Sequence, residues 1–271
     1  MRRLVLTGIL KPGTVLDLDR DKSRYLIRVL RMGEGDRFQA MDEGGRDFDC
    51  RIVAASNRGV RVELEEPRRA APAIPSEAYP ESDPPATDIR IALVQALPKA
   101  QKMDLVVRQA VEAGAAAVFP LISRNCVARE PSDSDKADKL ERRRKIVTEA
   151  LQQSGSRVLT KVFPATESRE IMDLLAAEGY GGPKTLFLLC HETPLAGKSL
   201  HEYCAGDPES VVVMVGPEGG FDPSEVESFL AAGFLPIHFG GSVLRTETAA
   251  LYALAAVKTI LAERKTWIIS K

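Results

Sequence analysis

The chain has 271 residues, 44% of them apolar and 28% charged, with 20 Gly, 17 Pro and a net charge of −1; that length fits two domains better than one small core, and the composition excludes the disordered, fibrous and disulfide-stapled classes. Its longest unbroken apolar run, Ala249 to Val257, is nine residues, far short of the roughly 20 that cross a bilayer, which excludes a membrane-spanning helix. Cys50, Cys126, Cys190 and Cys204 stand far apart, with no Cys-x-x-Cys pair and only His191, His201 and His238 to join them, so four reduced thiols and no metal site are expected.

The first residues are basic, but the apolar stretch after them contains Gly8 and lacks a small-residue cleavage site. No secretion signal is expected, and a cytoplasmic location follows. Short runs at Thr14 to Leu18, Arg37 to Met41, Phe48 to Ala54 and Gly59 to Leu64 alternate apolar with polar between glycine-rich turns, the pattern of a small, mostly antiparallel barrel. One helix interrupts it around Asp21 to Arg31. Residues 1 to 62 carry 13 Lys and Arg against 9 Asp and Glu, a local surplus that suits phosphate contact and equally a solvated face. Six prolines between Pro67 and Pro85, interleaved with small and acidic residues, read as a semi-rigid linker.

Beyond the linker the rhythm changes to strand, helix, strand. Ile89 to Leu97, Ala116 to Ile122, Thr185 to Cys190 and Val211 to Val215 are compact apolar runs, as strands covered on both faces should be. Between them, Lys102 to Ala113 places Met103, Val106, Val107, Ala110 and Val111 on one helical stripe and ends at Gly114. A second helix, Ser134 to Gln153, includes the basic block Lys136 to Lys145. Asp222-Pro223-Ser224-Glu225 supplies an N-cap, a proline at the first helical position and a capping-box glutamate for a helix that stops at Gly233. Thr246 or Thr248 opens a last helix to about Arg264. The alternation implies a parallel α/β domain.

Ligands of open α/β sheets bind beyond the carboxyl ends of the strands, which directs attention to three loops: Leu189 to Pro194, Gly216 to Phe221, and Phe239 to Thr248. Glycines in the last two let backbone approach a ligand, and each loop feeds a helix N-terminus. Neither matches Gly-x-Gly-x-x-Gly or a Walker loop, which disfavours nicotinamide dinucleotides and nucleoside triphosphates. The absence of a Gly-x-Ser-x-Gly elbow likewise disfavours a hydrolase.

Gly216-Pro217-Glu218-Gly219-Gly220-Phe221 with Glu225, taken together with Val243-Leu244-Arg245-Thr246-Glu247-Thr248-Ala249, resembles the paired signature of the 16S ribosomal RNA uridine-N3 methyltransferases, the small-subunit methyltransferase E family of the knotted SPOUT class. Arg28 to Asp36, Lys102-Met103 with Gln109 to Gly114, and Glu149-Ala150 with Gln153 to Gly155 are similar to further motifs of that family. The resemblance implies an α/β fold: a PUA-like RNA-binding barrel over 1–68, a Pro-rich linker over 69–87, and over 88–271 a methyltransferase domain whose parallel sheet carries a trefoil knot. It also implies S-adenosylmethionine as cofactor, 16S rRNA in the small ribosomal subunit as substrate, and a homodimer that completes each site, with neither membrane nor metal. Carried over by position, the cofactor contacts are Leu189, His191, Gly216, Glu218, Gly219, His238, Gly240, Leu244, Arg245 and Thr246. Arg2, Arg3, Arg28, Arg31 and Lys102 are the expected RNA contacts, the arginines through phosphates, with a basic barrel surface as the other reading. Phe239, Gly241-Ser242 and Gln152 depart from the family pattern.

Methyl transfer from a sulfonium needs donor and acceptor held close and in line. Uracil N3 is a weakly acidic imide, so a base or a cation must favour its deprotonated form. Arg245, always charged, is the candidate cation and catalytic residue. Glu218 or Glu247 is a candidate proton acceptor, with a structural ion pair as the other reading of each. His191 and His238, at strand ends, read equally as ligands or as turn residues. Two alternatives stay open: a knotted enzyme acting on another nucleotide or on a ribose hydroxyl, and an RNA-binding module that has lost catalysis.

Overall fold

The computed structural model describes residues 4–56, 59–67, 89–127, 132–156, 158–195 and 197–263. Arg2, Arg3 and the expected linker lie outside these. Contacts divide the chain into two compact units, one within Met1–Glu81 together with Thr148–Leu159, the other within Ser82–Val147 together with Thr160–Lys271.

In the first unit the strands are β1 (Leu4–Val5), β2 (Val15–Asp17), β3 (Arg37–Met41), β4 (Asp47–Ser56) and β5 (Gly59–Glu65). They form a five-stranded sheet in the order β1-β3-β4-β5-β2, antiparallel except for the parallel pair β1 and β3. Strict alternation buries Phe48, Cys50 and Ile52 of β4 and Val60, Val62 and Leu64 of β5 against Leu4, Leu6, Leu18 and Leu26. Helix α1 (Arg20–Arg24) starts at Asp19, whose carboxylate accepts the Lys22 N–H at 2.8 Å. It continues as a π-helical turn, Tyr25–Val29, so the expected single helix is two shorter pieces. Arg31 closes it at φ 55°, with the Met32 N–H bonded back to the Leu26 carbonyl at 2.9 Å.

In the second unit β6 (Arg90–Ala96), β7 (Ala117–Ile122), β8 (Lys161–Val162), β9 (Thr166–Glu167), β10 (Thr185–Cys190), β11 (Ser210–Val215) and β12 (Leu235–Ile237) build a wholly parallel sheet. Its order is β12-β10-β11-β6-β7-β8, with β9 also paired to β7. β7 and β11 are buried along their whole length, as expected of strands covered on both faces. The helices are α2 (Lys102–Glu112), α3 (Asp133–Ser154), whose residues up to Val147 belong to this unit, α4 (Ile171–Ala177), α5 (Leu200–Cys204), α6 (Pro223–Ala231) and α7 (Thr246–Glu263). The five stripe residues of α2 are all buried. Asp222 and Glu225 form a complete capping box at the start of α6. Beneath the far strands Phe119 stacks on Phe163 with ring centroids 4.3 Å apart and meets the edge of Tyr180 at 5.9 Å.

Candidate active site

The strand order explains the site. β12, β10 and β11 are adjacent and parallel, and Leu189 pairs with both Met214 and Pro236, so their carboxyl ends are level. The three loops that follow open on the same edge of the sheet and enclose a cavity of about 640 Å³, within the usual range for small-molecule sites. Eight of the ten expected cofactor contacts line it: His191, Gly216, Glu218, His238, Gly240, Leu244, Arg245 and Thr246. Leu189 and Gly219 do not; Leu189 is fully buried in β10, and Gly219 faces Asn125, whose side-chain amide reaches the carbonyls of Gly219 at 3.4 Å and Gly220 at 3.2 Å. Cys190, Glu192, Pro217, Phe221 and Phe239 are among the other lining residues from the same three loops.

Each loop is shaped by local chemistry. Gly220 adopts φ 68° and donates its N–H to the Pro217 carbonyl at 3.0 Å, a tight turn that brings Glu218 outward. Gly240 and Gly241 adopt φ 65° and 69°, and the Ser242 N–H bonds the Gly240 carbonyl at 2.7 Å. The His191 N–H bonds the Ile237 carbonyl at 3.0 Å, and its Nδ1 accepts the Thr193 N–H at 3.1 Å. Thr246, first residue of α7, donates its hydroxyl to the Gly216 carbonyl at 2.6 Å and so ties the third loop to the second.

Glu218 is anchored rather than free. Its carboxylate accepts the Lys99 N–H at 3.0 and 3.2 Å and faces the Lys102 ammonium at 3.3 Å. Burial pushes its pKa up, but its own backbone N–H, that of Lys99 and the Lys102 charge outweigh burial and hold it below the ordinary carboxylate value. Lys102 also pairs with Glu247 at 3.2 Å, and hydrogen bonding to Glu247 and Glu218 raises its own pKa. One ammonium thus bridges two carboxylates, so Lys102, an expected RNA contact, is committed within the site. The Arg245 guanidinium is exposed at the cavity and bonds to no described side chain.

Other basic residues divide in the same way. On the small sheet Arg37 pairs with Glu65, Arg51 with Glu63, and Arg61 with Asp17 at 2.8 Å, while Arg28 and Arg31 are exposed. In the basic block of α3, Arg142 is held by Asp104 at 2.5 Å and Arg143 is buried. Among the described residues no group of three or more His, Cys, Asp or Glu is placed to hold a metal, and no helix is long and apolar enough to cross a membrane.

A parallel sheet with loops gathered at one edge is the architecture of many enzymes, so the particular class rests on closer likeness. Residues 85–258 match the RNA methyltransferase domain, and residues 18–65 match the RNA methyltransferase PUA domain. Together these define an RNA methyltransferase with an appended PUA domain. The ribosomal RNA small subunit methyltransferase E of Synechocystis sp. is 32% identical over 240 residues, spanning 88% of this chain and 70% of that one. That of Mycobacterium bovis is 31% identical over 246 residues, 90% and 86% of the two chains. The crystal structure of the Neisseria gonorrhoeae enzyme of the same name, bound to S-adenosyl methionine, superposes with a TM-score of 0.78 at 27% identity and covers 96% of this chain and 98% of that one. The chain belongs to the ribosomal RNA small subunit methyltransferase E family.

Proposed function

We propose that the chain transfers the methyl group of S-adenosylmethionine to N3 of a specific uridine in 16S rRNA, working on the small ribosomal subunit in the cytoplasm as a homodimer and without a metal. The observation that carries the reading is the convergence of the loops after β10, β11 and β12 on one cavity. Its chemistry fits the cofactor: Pro217, Phe239 and Leu244 offer apolar surface beside the glycine-rich backbone of Gly216 and Gly240, and the cavity has room for a molecule of that size. The related Neisseria structure holds S-adenosyl methionine.

When bound, S-adenosylmethionine supplies the electrophilic methyl group. The chain's part is to fix the reactants in line and to stabilise charge. Arg245 places a permanent cation where the uracil imide develops its negative charge. Glu218, held ionised by N–H donors and Lys102, is a weakened base, which favours an anchoring role for it over proton abstraction. Leu189 and Gly219 support the cradle from behind its walls. Residues 1–68 then form the PUA-like RNA-binding barrel, 69–87 the linker and 88–271 the knotted domain, with Arg2, Arg3, Arg28 and Arg31 gripping phosphates. The dimer is supported by the exposed Leu251 and Tyr252 on α7 and Val243 on the third loop, which leave apolar surface beside the cavity.

Calorimetric titration with S-adenosylmethionine tests the cofactor, and Arg245→Ala tests the chemistry. The variant should bind RNA nearly as the parent does and lose about 100- to 1,000-fold in methyl transfer; equal methylation by the variant would remove Arg245 from the mechanism.

A further inference from the structure

After its exposed first residue, Arg90, β6 is an apolar strand with one exception. Gln95 sits among Ile91, Leu93, Val94 and Ala96 with its side chain fully buried, a position where an amide is costly unless it is hydrogen-bonded. Its Nε2 lies 2.9 Å from the Ala96 carbonyl and 2.9 Å from the Thr246 hydroxyl, with the Gly216 carbonyl at 3.5 Å. Carbonyls only accept, so the amide can face them only through its N–H groups. Thr246 therefore receives a hydrogen from Gln95 and must pass its own to the Gly216 carbonyl, 2.6 Å away.

The result is a one-directional chain, Gln95 N–H to Thr246 O–H to Gly216 C=O, joining three elements 121 and 151 residues from Gln95. Gly216 and Thr246 both line the cavity, whereas Gln95 does not. The Gln95 Oε1 is buried and accepts no hydrogen bond from any described residue. An amide at a fully buried strand position is poorly explained by packing, for which a methionine of similar shape would serve better. Its two donors, in contrast, are both spent, one at the end of its own strand and one on the brace.

We propose that Gln95 is a positioning residue for the cofactor cradle: through Thr246 it locks the first residue of the second loop to the first turn of α7 before the cofactor arrives. This rests on the cofactor reading above. The brace also commits the Thr246 hydroxyl proton to Gly216, so toward a ligand that hydroxyl can only accept.

The test compares the parent with Gln95→Met, Thr246→Val, the double variant and Thr246→Ser. Dissociation constants for S-adenosylmethionine are measured calorimetrically on folded protein, and amide hydrogen exchange is followed in the apo state. Breaking the chain at either link should weaken binding about tenfold. The double variant should lose little more than either single one, because both cut the same chain. Thr246→Ser, which keeps the hydroxyl of the brace, should lose less affinity than Thr246→Val, and a loss as large as that of Thr246→Val would count against the brace. In the apo variants the 216–221 amides should exchange faster while those of β7 do not change. A folded Gln95→Met that binds as the parent does, or losses that multiply in the double variant, would overturn the proposal. Should Gln95→Met fail to fold, Thr246→Val reads the same link with Gln95 in place, and parental affinity there overturns it equally. A parent that ignores S-adenosylmethionine sinks the cofactor reading alone; faster apo exchange of 216–221 would still support the brace, and unchanged exchange would end it.

Discussion

The third loop turns on two consecutive glycines, and their backbone sets a number that can be checked. Gly240 and Gly241 hold φ 65° and 69°, and a Cβ added at either would meet nothing within 4 Å. Substitution there is therefore penalised by backbone conformation and not by collision. An L-residue in the left-handed region costs about 1–2 kcal/mol, so Gly240→Ala with Gly241→Ala should bias the empty loop toward another path by about 2–4 kcal/mol. The ligand must repay that bias, which raises its dissociation constant about 30-fold to several hundredfold. Calorimetric titration of the folded variants with S-adenosylmethionine reads the loss. Residue type at Gly240 separates the causes: a conformational penalty ranks Asn mildest, then Ala, then the β-branched Val, whereas a volume effect ranks Ala mildest. A double alanine variant that binds within about twofold of the parent, or the volume ranking, would refute the reasoning. Gly216 offers the contrast, because a Cβ there would stand 3.3 Å from the Phe221 ring and act by displacing it.

Other perturbations address the anchors and the core. The Glu218 carboxyl is held below its ordinary value of 4.5, so its stabilising contribution is present above that value and lost as the pH falls through the lower folded one. The parent should melt above Glu218→Gln at neutral pH, and the gap should close on acidification below 4.5; a gap that widens in acid would contradict the ion-pair anchor. Phe119→Ala removes a fully buried ring stacked on Phe163 and should cost about 3–5 kcal/mol of unfolding free energy. Denaturant titration measures that loss, while affinity for S-adenosylmethionine in the folded protein should hold; a change below about 1 kcal/mol would mean that the aromatic cluster repacks around the gap.

Much of the second unit could be read in the residues because local signals agree with tertiary packing there. The stripe of α2 and the capping box of α6 follow from periodicity and cap chemistry, and unbroken apolar runs mark β7, β10 and β11, although β10 is half-buried over most of its length where burial on both faces is expected. Elements that escaped notice are short: β1 is two residues, and α5 five, too brief for a period to show. All three site loops were legible because they follow apolar runs, the last two also because of their glycine clusters, yet their convergence depends on the strand order β12-β10-β11, a long-range fact that no local pattern encodes. Lys102 illustrates the same limit, for its two carboxylate partners are more than a hundred residues away. Gln95 did leave a trace, a lone amide in a run otherwise fit for burial on both faces. Its partners, again distant in the chain, give that amide its meaning.

The central claim meets its most direct test in the product. Purified protein, small ribosomal subunits carrying unmodified 16S rRNA and methyl-labelled S-adenosylmethionine are incubated together, and the RNA is digested to nucleosides. The account predicts label in 3-methyluridine alone, and its loss with Arg245→Ala. Label in a ribose-methylated nucleoside or another base, or none at all with folded protein, would contradict it.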